Sequence, residues 1–149
     1  MRIAAILSLP LLAAGCMPRS MQVPEQFVPV PEHRLGDFTQ RAVSADGVIV
    51  GLQVRPNPPQ GTLAFWSQAT QNELAGRGYK LVKAEDVKSA AALPGKLLTF
   101  SAERSGVAHT YLVGVFVAGK DILLPQAGGK SDAVEPRLPA IRQAILSVR

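Results

Sequence analysis

Hydrophobic and polar residues alternate over residues 48–55, where valine or leucine occupies every second position. This period of two predicts a β-strand with one buried face. Asp46 and Gly47 stand directly before it and form a strong tight-turn signal. Residues 38–43, before the turn, also have a strand-like composition. The two segments therefore predict an antiparallel hairpin.

A stripe of larger side chains at helical spacing follows the proline-rich loop at residues 55–61. Thr62 precedes the stripe and suits an N-cap, while Gly76 or Gly78 can supply a left-handed C-cap. The pattern predicts an amphipathic helix over residues 62–76. The stripe consists of Leu63, Trp66, Thr70 and Leu74, and Phe65 and Ala69 widen it.

The remaining sequence predicts further strands and a second helix. Strands are expected over residues 79–83, 96–103, 108–117 and 122–124. The continuous apolarity of residues 108–117 indicates burial on both faces, whereas residues 85–94 suggest a loop with a helical turn. Leu138, Ile141, Ile145 and Val148 predict a helix over residues 136–148. This order predicts an α+β fold, an antiparallel β-sheet with helices on both faces.

The first residues have the features of a signal peptide. Arg2 precedes an apolar run over residues 3–14, interrupted only by Ser8 and Pro10. About 20 apolar residues are needed to cross a bilayer, so this run is too short for a stable membrane span. Its length fits the hydrophobic region of a secretory leader.

The end of that run, Leu12-Ala13-Ala14-Gly15-Cys16, resembles the lipobox of bacterial lipoproteins. In that family the cysteine receives a diacylglyceryl group and becomes the first mature residue. The resemblance implies that residues 1–15 are a lipoprotein signal peptide and that Cys16, the only cysteine of the chain, is lipidated. Two alternatives are a freely secreted protein and an internal apolar segment of a cytosolic protein. In lipoproteins of envelopes with two membranes, an acidic residue after the cysteine commonly holds the protein at the inner membrane. Met17 occupies that position here, so the resemblance favours the outer membrane.

Prolines are frequent in residues 16–36 and deny this segment a helix or a central strand. We expect a proline-rich tether here, extended in its first half. The second half has apolar residues suited to packing on the folded domain, which is expected to cover residues 37–149. The prolines are Pro18, Pro24, Pro29 and Pro31, and the apolar residues are Phe27, Val28 and Val30.

The order of elements over residues 38–148 resembles PsbP-like and DcrB-like proteins. The local sequences that carry this likeness are Gly47-Val48-Ile49-Val50, Arg55-Pro56-Asn57-Pro58, Leu63-Ala64-Phe65-Trp66, Gly78-Tyr79-Lys80-Leu81-Val82, Leu93-Pro94-Gly95-Lys96-Leu97-Leu98 and the strand from Tyr111 to Val117. The resemblance implies a PsbP-like α/β/α sandwich. Members of the group are mostly non-catalytic accessory or envelope proteins, so no catalytic motif carries over.

The charge balance argues against nucleic acid as a partner. The formal net charge is +5, but only 5% of residues are aromatic and the basic residues are dispersed. Nucleic-acid interfaces combine clustered basic side chains with a recognisable motif. We expect a solvated basic face, with at most weak attraction to anionic lipid.

Few residues suit catalysis or ligand chemistry. Ser101, Ser105, Glu103 and His109 lie around one turn, where a cross-strand polar pair is the alternative to a catalytic set. The spacing of His33, Asp37, Asp46 and His109 fits no metal site. Gly128-Gly129-Lys130-Ser131 lacks the phosphate-loop spacing. We expect no catalytic residues, no metal and no cofactor.

Two functions remain open at this point. The first is a lipid-anchored envelope lipoprotein that presents a non-enzymatic domain for protein or envelope contacts. The alternative is a periplasmic small-ligand carrier that binds a hydrophobic or anionic molecule between the sheet and a helix. A cavity lined by Trp66, Phe100 and Phe116 would support the carrier, and a filled core would oppose it. A hydrolase using His109 is a distant third. The loop at residues 55–61 is a candidate recognition surface because rigid loops lose little entropy on binding.

Overall fold

The computed structural model describes residues 17–149, and these residues form one seven-stranded sheet. The strands are β1 (Phe27–Pro29), β2 (Gln40–Ser44), β3 (Ile49–Pro56), β4 (Lys80–Lys88), β5 (Pro94–Arg104), β6 (Val107–Ala118) and β7 (Asp121–Lys130). Their order across the sheet is β1-β2-β3-β7-β6-β5-β4, and every neighbouring pair is antiparallel. The predicted hairpin is present as β2 and β3.

Helices cover both faces of the sheet. Helix α1 (Leu63–Gly76) packs on β4, β5 and β6, and α3 (Leu138–Leu146) packs on β6 and β7 from the other side. The short helix α2 (Ser131–Val134) and a 3-10 turn (Glu135–Arg137) lead into α3. The predicted α+β fold with helices on both faces is confirmed.

Strand alternation separates the core into two apolar clusters. One lies between the sheet and α3 and contains Leu97, Leu112, Phe116, Ile141 and Ile145. The other lies between the sheet and α1 and contains Leu74, Leu98, Phe100, Val113 and Val115. Successive residues of a strand point to opposite faces. Strand β6 therefore supplies both clusters and is buried on both sides, as its continuous apolarity predicts.

Two strands are longer than the sequence predicts. Strand β4 reaches Lys88, so residues 85–88 of the expected loop at residues 85–94 are strand, and β7 reaches Lys130 rather than residue 124. Pairing with β5 satisfies the backbone of β4 although its side chains are largely exposed. The last helix covers Leu138–Leu146 rather than residues 136–148, because residues 136 and 137 belong to the 3-10 turn and the helix ends at Leu146.

The proline-rich segment lies against the folded domain. Arg19 forms an ion pair with Asp121 at 3.1 Å, and Met21 is buried in the cluster under α3. The side-chain amide of Gln40 accepts from the Met21 N–H at 3.0 Å and donates to its carbonyl at 2.8 Å. The sequence predicts an extended spacer in the first half of this segment. These contacts instead dock it from Arg19 onward.

The second half of the segment joins the sheet. Strand β1 pairs with β2 at the edge, where proline is tolerated because one side needs no donor. Phe27 is buried and Val28 is 68% exposed, so the strand presents one face to the core and one to solvent. The predicted packing of this half is confirmed. We call residues 17–29 the arm.

Candidate functional site

Helix α1 covers only part of its sheet face and leaves a groove beside it. The groove has a volume of about 310 Å³ and lies over β2, β3, β7 and the start of β6. This volume is in the range of small-molecule sites. Its principal lining residues are Phe38, Arg41, Ile49, Tyr79, Tyr111 and Gln126. We call this feature the sheet groove.

Two glycines shape the walls of the sheet groove. A Cβ atom on Gly51 would lie 2.5 Å from the ring of Phe38, and one on Gly128 would lie 2.8 Å from the ring of Tyr111. Real Cβ atoms do not come this close to carbon, so each ring occupies space that only glycine leaves free. Glycine on β3 and on β7 thus lets two aromatic rings lie close to the sheet.

One wall of the sheet groove is held by hydrogen bonds. The hydroxyl of Tyr111 donates to the side-chain oxygen of Gln126, and the amide nitrogen of Gln126 donates to the Leu124 carbonyl at 3.3 Å. Burial raises the pKa of Tyr111, so its hydroxyl remains a neutral donor. The ring of Tyr79 lies 5.5 Å from that of Tyr111, measured between centroids. This wall is therefore rigid and aromatic.

The charge in the sheet groove is positive. The guanidinium of Arg41 lies 5.4 Å from the ring centroid of Phe38, and the His109 side chain lines the same cavity. No Asp or Glu is among the lining residues. Within residues 17–149, no carboxylate lies within ion-pair distance of Arg41. The positive charge of Arg41 is therefore not neutralised by the protein.

The residues considered for catalysis are not brought together. His109 is the partner of Ala102 across β5 and β6, whereas Glu103 is the partner of Ala108. Neighbouring residues point to opposite faces, so Ser101 and Glu103 face away from His109. The Nδ1 atom of His109 lies 3.0 Å from the Val107 carbonyl oxygen. Among the described residues, no nucleophile and no orienting carboxylate contact His109 as a catalytic triad requires.

The metal and phosphate candidates are also dispersed. Across the described part of the chain, no three His, Cys, Asp or Glu side chains form a group that could hold a metal ion. Gly128 and Gly129 belong to β7 and are not a phosphate-binding loop. In residues 17–149, no helix is long and apolar enough to cross a membrane. Cys16, the predicted lipidation site, lies outside the described residues.

Trp66, Phe100 and Phe116 do not line a common cavity. Phe116 belongs to the cluster under α3, while Phe100 and Trp66 belong to the cluster under α1. Both phenylalanines are fully buried, so they fill the core on opposite faces of the sheet. The sequence did contain a signal for the sheet groove. On the face of β3 opposite Val50 and Leu52, Gly51 and Gln53 provide few apolar atoms for a helix to pack on.

The loop at residues 55–61 is fixed from within. Asn57 is buried, and its side-chain oxygen accepts from the N–H of Gly61 and from the indole N–H of Trp66, both at 2.7 Å. The Asn57 amide nitrogen donates to the carbonyls of Gly61 and Gly119. Pro58, Pro59 and Gln60 stay exposed. The loop is ordered by one residue, and its role in recognition remains a prediction.

A larger cavity of about 480 Å³ lies between the arm and α3. Six of its eleven lining residues are exposed, and four of these six are polar, namely Gln22, Glu25, Gln26 and Gln143. Binding sites for small molecules are usually apolar with a few convergent polar groups. The sheet groove fits that description better and is the stronger candidate site.

The fold is shared with several solved structures. LpqN, involved in cell envelope biogenesis of Mycobacterium tuberculosis, is 14% identical with a TM-score of 0.69, over 87% of this chain and 82% of that chain. Cyanobacterial PsbP (CyanoP) from Synechocystis is 11% identical with a TM-score of 0.63, over 88% and 85%. PA94 from Pseudomonas aeruginosa, a protein of unknown function, is 17% identical with a TM-score of 0.54, over 98% and 92%.

These likenesses concern the fold. The expected PsbP-like architecture is confirmed, because the seven-stranded sheet with helices on both faces superposes on PsbP itself. No protein-family model matches the chain, and no curated protein matches it in sequence.

Proposed function

We propose that this chain is a lipid-anchored lipoprotein of the bacterial cell envelope that presents a non-enzymatic α/β/α domain to other envelope components. The lipobox-like sequence ending at Cys16, the only cysteine of the chain, carries this proposal. The direct partners would be the membrane, through the acylated cysteine, and an unidentified envelope protein. Nucleic acid is not a proposed partner.

Two further observations support an envelope location and a non-enzymatic domain. LpqN, which has a similar fold, is involved in cell envelope biogenesis in its own organism. In the described residues, His109 has no facing carboxylate that would orient it as a base. Met17, in place of an acidic residue after the cysteine, supports the outer membrane as the location.

Lipidation is tested by the intact mass of the full chain extracted from membranes in detergent. We expect a mature protein that begins at Cys16 and carries acyl chains, found in the membrane fraction. Several acyl chains make dissociation negligible, because each buried methylene contributes about 0.8 kcal/mol. The Cys16→Ala variant should lack the acyl mass, and Met17→Ala, which keeps the cysteine, is the matched control. An unmodified Cys16 in the wild-type protein would refute the anchor.

A second candidate function is favoured by the sheet groove. We infer that the domain is a small-ligand carrier, since the groove combines aromatic walls with an unneutralised arginine. Denaturing the purified full chain and analysing the extract by mass spectrometry tests this. A stoichiometric small molecule, reduced when the groove is filled by Ile49→Trp, supports a carrier. An extract free of any such molecule, together with no saturable binding of added amphiphiles, would exclude it.

A further inference from the structure

The sheet groove continues into an apolar row that crosses the open part of the sheet. Tyr111 pairs with Gly128, Gly128 with Ile49, Ile49 with Val43, and Val43 with Val28. Residues paired across neighbouring strands point to the same face. The row therefore lies on one surface, from the rigid aromatic wall to the edge strand β1. We call it the apolar row.

The apolar row is long, narrow and exposed at its outer end. It spans five strands, which is about 19 Å at a spacing of about 4.8 Å between strands. Val28 at the edge is 68% exposed, whereas Val43 and Ile49 are half-buried. A surface of this shape matches an extended alkyl chain better than a globular ligand, because it offers apolar contact along one direction only.

The cationic side chain of Arg41 lies beside the apolar row. Arg41 precedes Val43 by two residues on β2, so its side chain lies on the same face of the sheet. It pairs in register with Gly51, which carries no side chain that would cover it. The absence of a carboxylate among the lining residues leaves the guanidinium to an external anion. Arginine binds carboxylate and phosphate oxygens in a bidentate manner.

We propose that the sheet groove binds a single-chain anionic amphiphile, with its anionic group on Arg41 and its alkyl chain along the apolar row. This inference rests on the proposed carrier function and names its ligand class. It does not depend on lipidation, because neither Arg41 nor the apolar row involves Cys16. The ring of Phe38 lies beside the guanidinium and lines the same groove.

The test is photoaffinity labelling of the full chain purified in dodecyl maltoside. The probe is dodecanoate bearing a diazirine on its alkyl chain, and labelled peptides are mapped by mass spectrometry. The detergent carries the same alkyl chain with a neutral head, so specific labelling above this background requires the anionic group. We expect labelling on peptides that contain Val43, Ile49 or Tyr111, displaced by dodecanoate and not by dodecyltrimethylammonium.

The variants test separately the binding of the ligand's anionic group and of its alkyl chain. Arg41→Gln should reduce labelling about tenfold, the loss expected for one charge-assisted hydrogen-bonded pair. Arg34→Gln removes an exposed arginine outside the groove and should leave labelling unchanged. Val28→Glu places a carboxylate at the exposed end of the apolar row and should also weaken labelling. Because Val28 is mostly exposed, Val28→Glu keeps the fold. It therefore tests the site even if Arg41→Gln fails to fold.

Three results would overturn the proposal. They are equal labelling of wild type and Arg41→Gln, equal displacement by the cationic amphiphile, and labelling spread outside the groove peptides. Saturable binding of the neutral detergent in the groove would refute the anionic class while leaving the carrier function standing. Labelling of Cys16→Ala at the wild-type level is expected, so a failure of the lipid anchor would not be mistaken for a failure of this site.

Discussion

The indole N–H of Trp66 donates to the side-chain oxygen of Asn57 at 2.7 Å. The same oxygen accepts from the backbone N–H of Gly61, also at 2.7 Å. The first turn of α1 is thereby joined to the loop that leads into it. The side-chain amide of Asn57 also donates to the Gly119 carbonyl, and its backbone N–H donates to the Lys120 carbonyl. One residue therefore connects three segments of the fold.

We therefore expect Asn57→Ala to lower the free energy of unfolding by about 2–3 kcal/mol, because two donors lose their shared acceptor. Gln60→Ala, in the same loop but exposed, should change it by less than about 0.5 kcal/mol. Urea unfolding followed by Trp66 fluorescence measures both. Equal stability of the two variants would show that Asn57 does not organise the loop.

Glycine at position 51 is required by the ring of Phe38. Gly51→Ala places a Cβ atom 2.5 Å from that ring, and overpacking of this kind costs about 1–3 kcal/mol. Gly76→Ala, at the end of α1 with nothing within 4 Å of the added Cβ, should instead stabilise the protein by about 0.5–1 kcal/mol. Thermal unfolding of the two variants should shift in opposite directions. A neutral Gly51→Ala would mean that the Phe38 wall moves freely.

The docking of the arm depends on Met21. This side chain is 5% exposed, whereas that of Met17 is 79% exposed. Met21→Ala should lower the free energy of unfolding by about 2–4 kcal/mol, as for other buried methionines. Met17→Ala, the same substitution at an exposed position, should have almost no effect. Trypsin cleavage after Arg19 should become faster only in Met21→Ala, and equal cleavage in both would contradict the docked arm.

Stability should fall in acid partly through Glu85. The hydrogen bond from Lys83, and secondly that from Arg142, lower the pKa of Glu85 below its ordinary value of 4.5. A lowered folded-state pKa stabilises the fold above the unfolded-state value, and this contribution is lost as the pH falls through the folded-state pKa. Wild type should exceed Glu85→Gln in stability near neutral pH and match it at about pH 3. A constant difference across this range would rule out Glu85 as a contributor.

The sequence predicts α1 almost to the residue. Thr62 caps the helix by accepting from the Phe65 N–H at 3.2 Å, and Gly78 adopts the left-handed conformation after it, with φ of 84°. These signals are local, because capping and left-handed glycine depend on residues within a few positions of each other. The bounds of a helix can be predicted from local sequence when the residues that cap both of its ends lie next to it.

The ends of β4 and β7 depend on other strands. Glu85 and Asp86 do not favour a strand by composition, yet they pair with Leu97 and Lys96 of β5. Gly128 and Gly129 indicate a loop when considered alone. In the sheet they pair with Tyr111 and Thr110 of β6. Tertiary pairing overrides local preference at both ends, so neither strand length follows from its own residues.

The sheet groove could not be derived from the sequence for a related reason. Phe38, Tyr79 and Tyr111 are far apart along the chain, and each resembles an ordinary core residue in its local pattern. They converge only because β3 pairs with β7 and α1 stops short of β2 and β3. The leader is a prediction from one contiguous signal, whereas the groove is formed by residues that only the sheet order brings together.

The docked arm determines how far the domain can stand from a bilayer. Arg19 is bound to Asp121, so two residues lie between this contact and Cys16, and the three Cα–Cα steps reach about 10 Å at full extension. With a lipid on Cys16, the end of the sheet near Asp121 would rest at the level of the lipid headgroups. Gly128, in the groove, lies seven residues further along β7, about 24 Å away. The groove would then lie toward the other end of β7 from the attachment point, so ligand exchange with the aqueous side would not require the domain to leave the membrane.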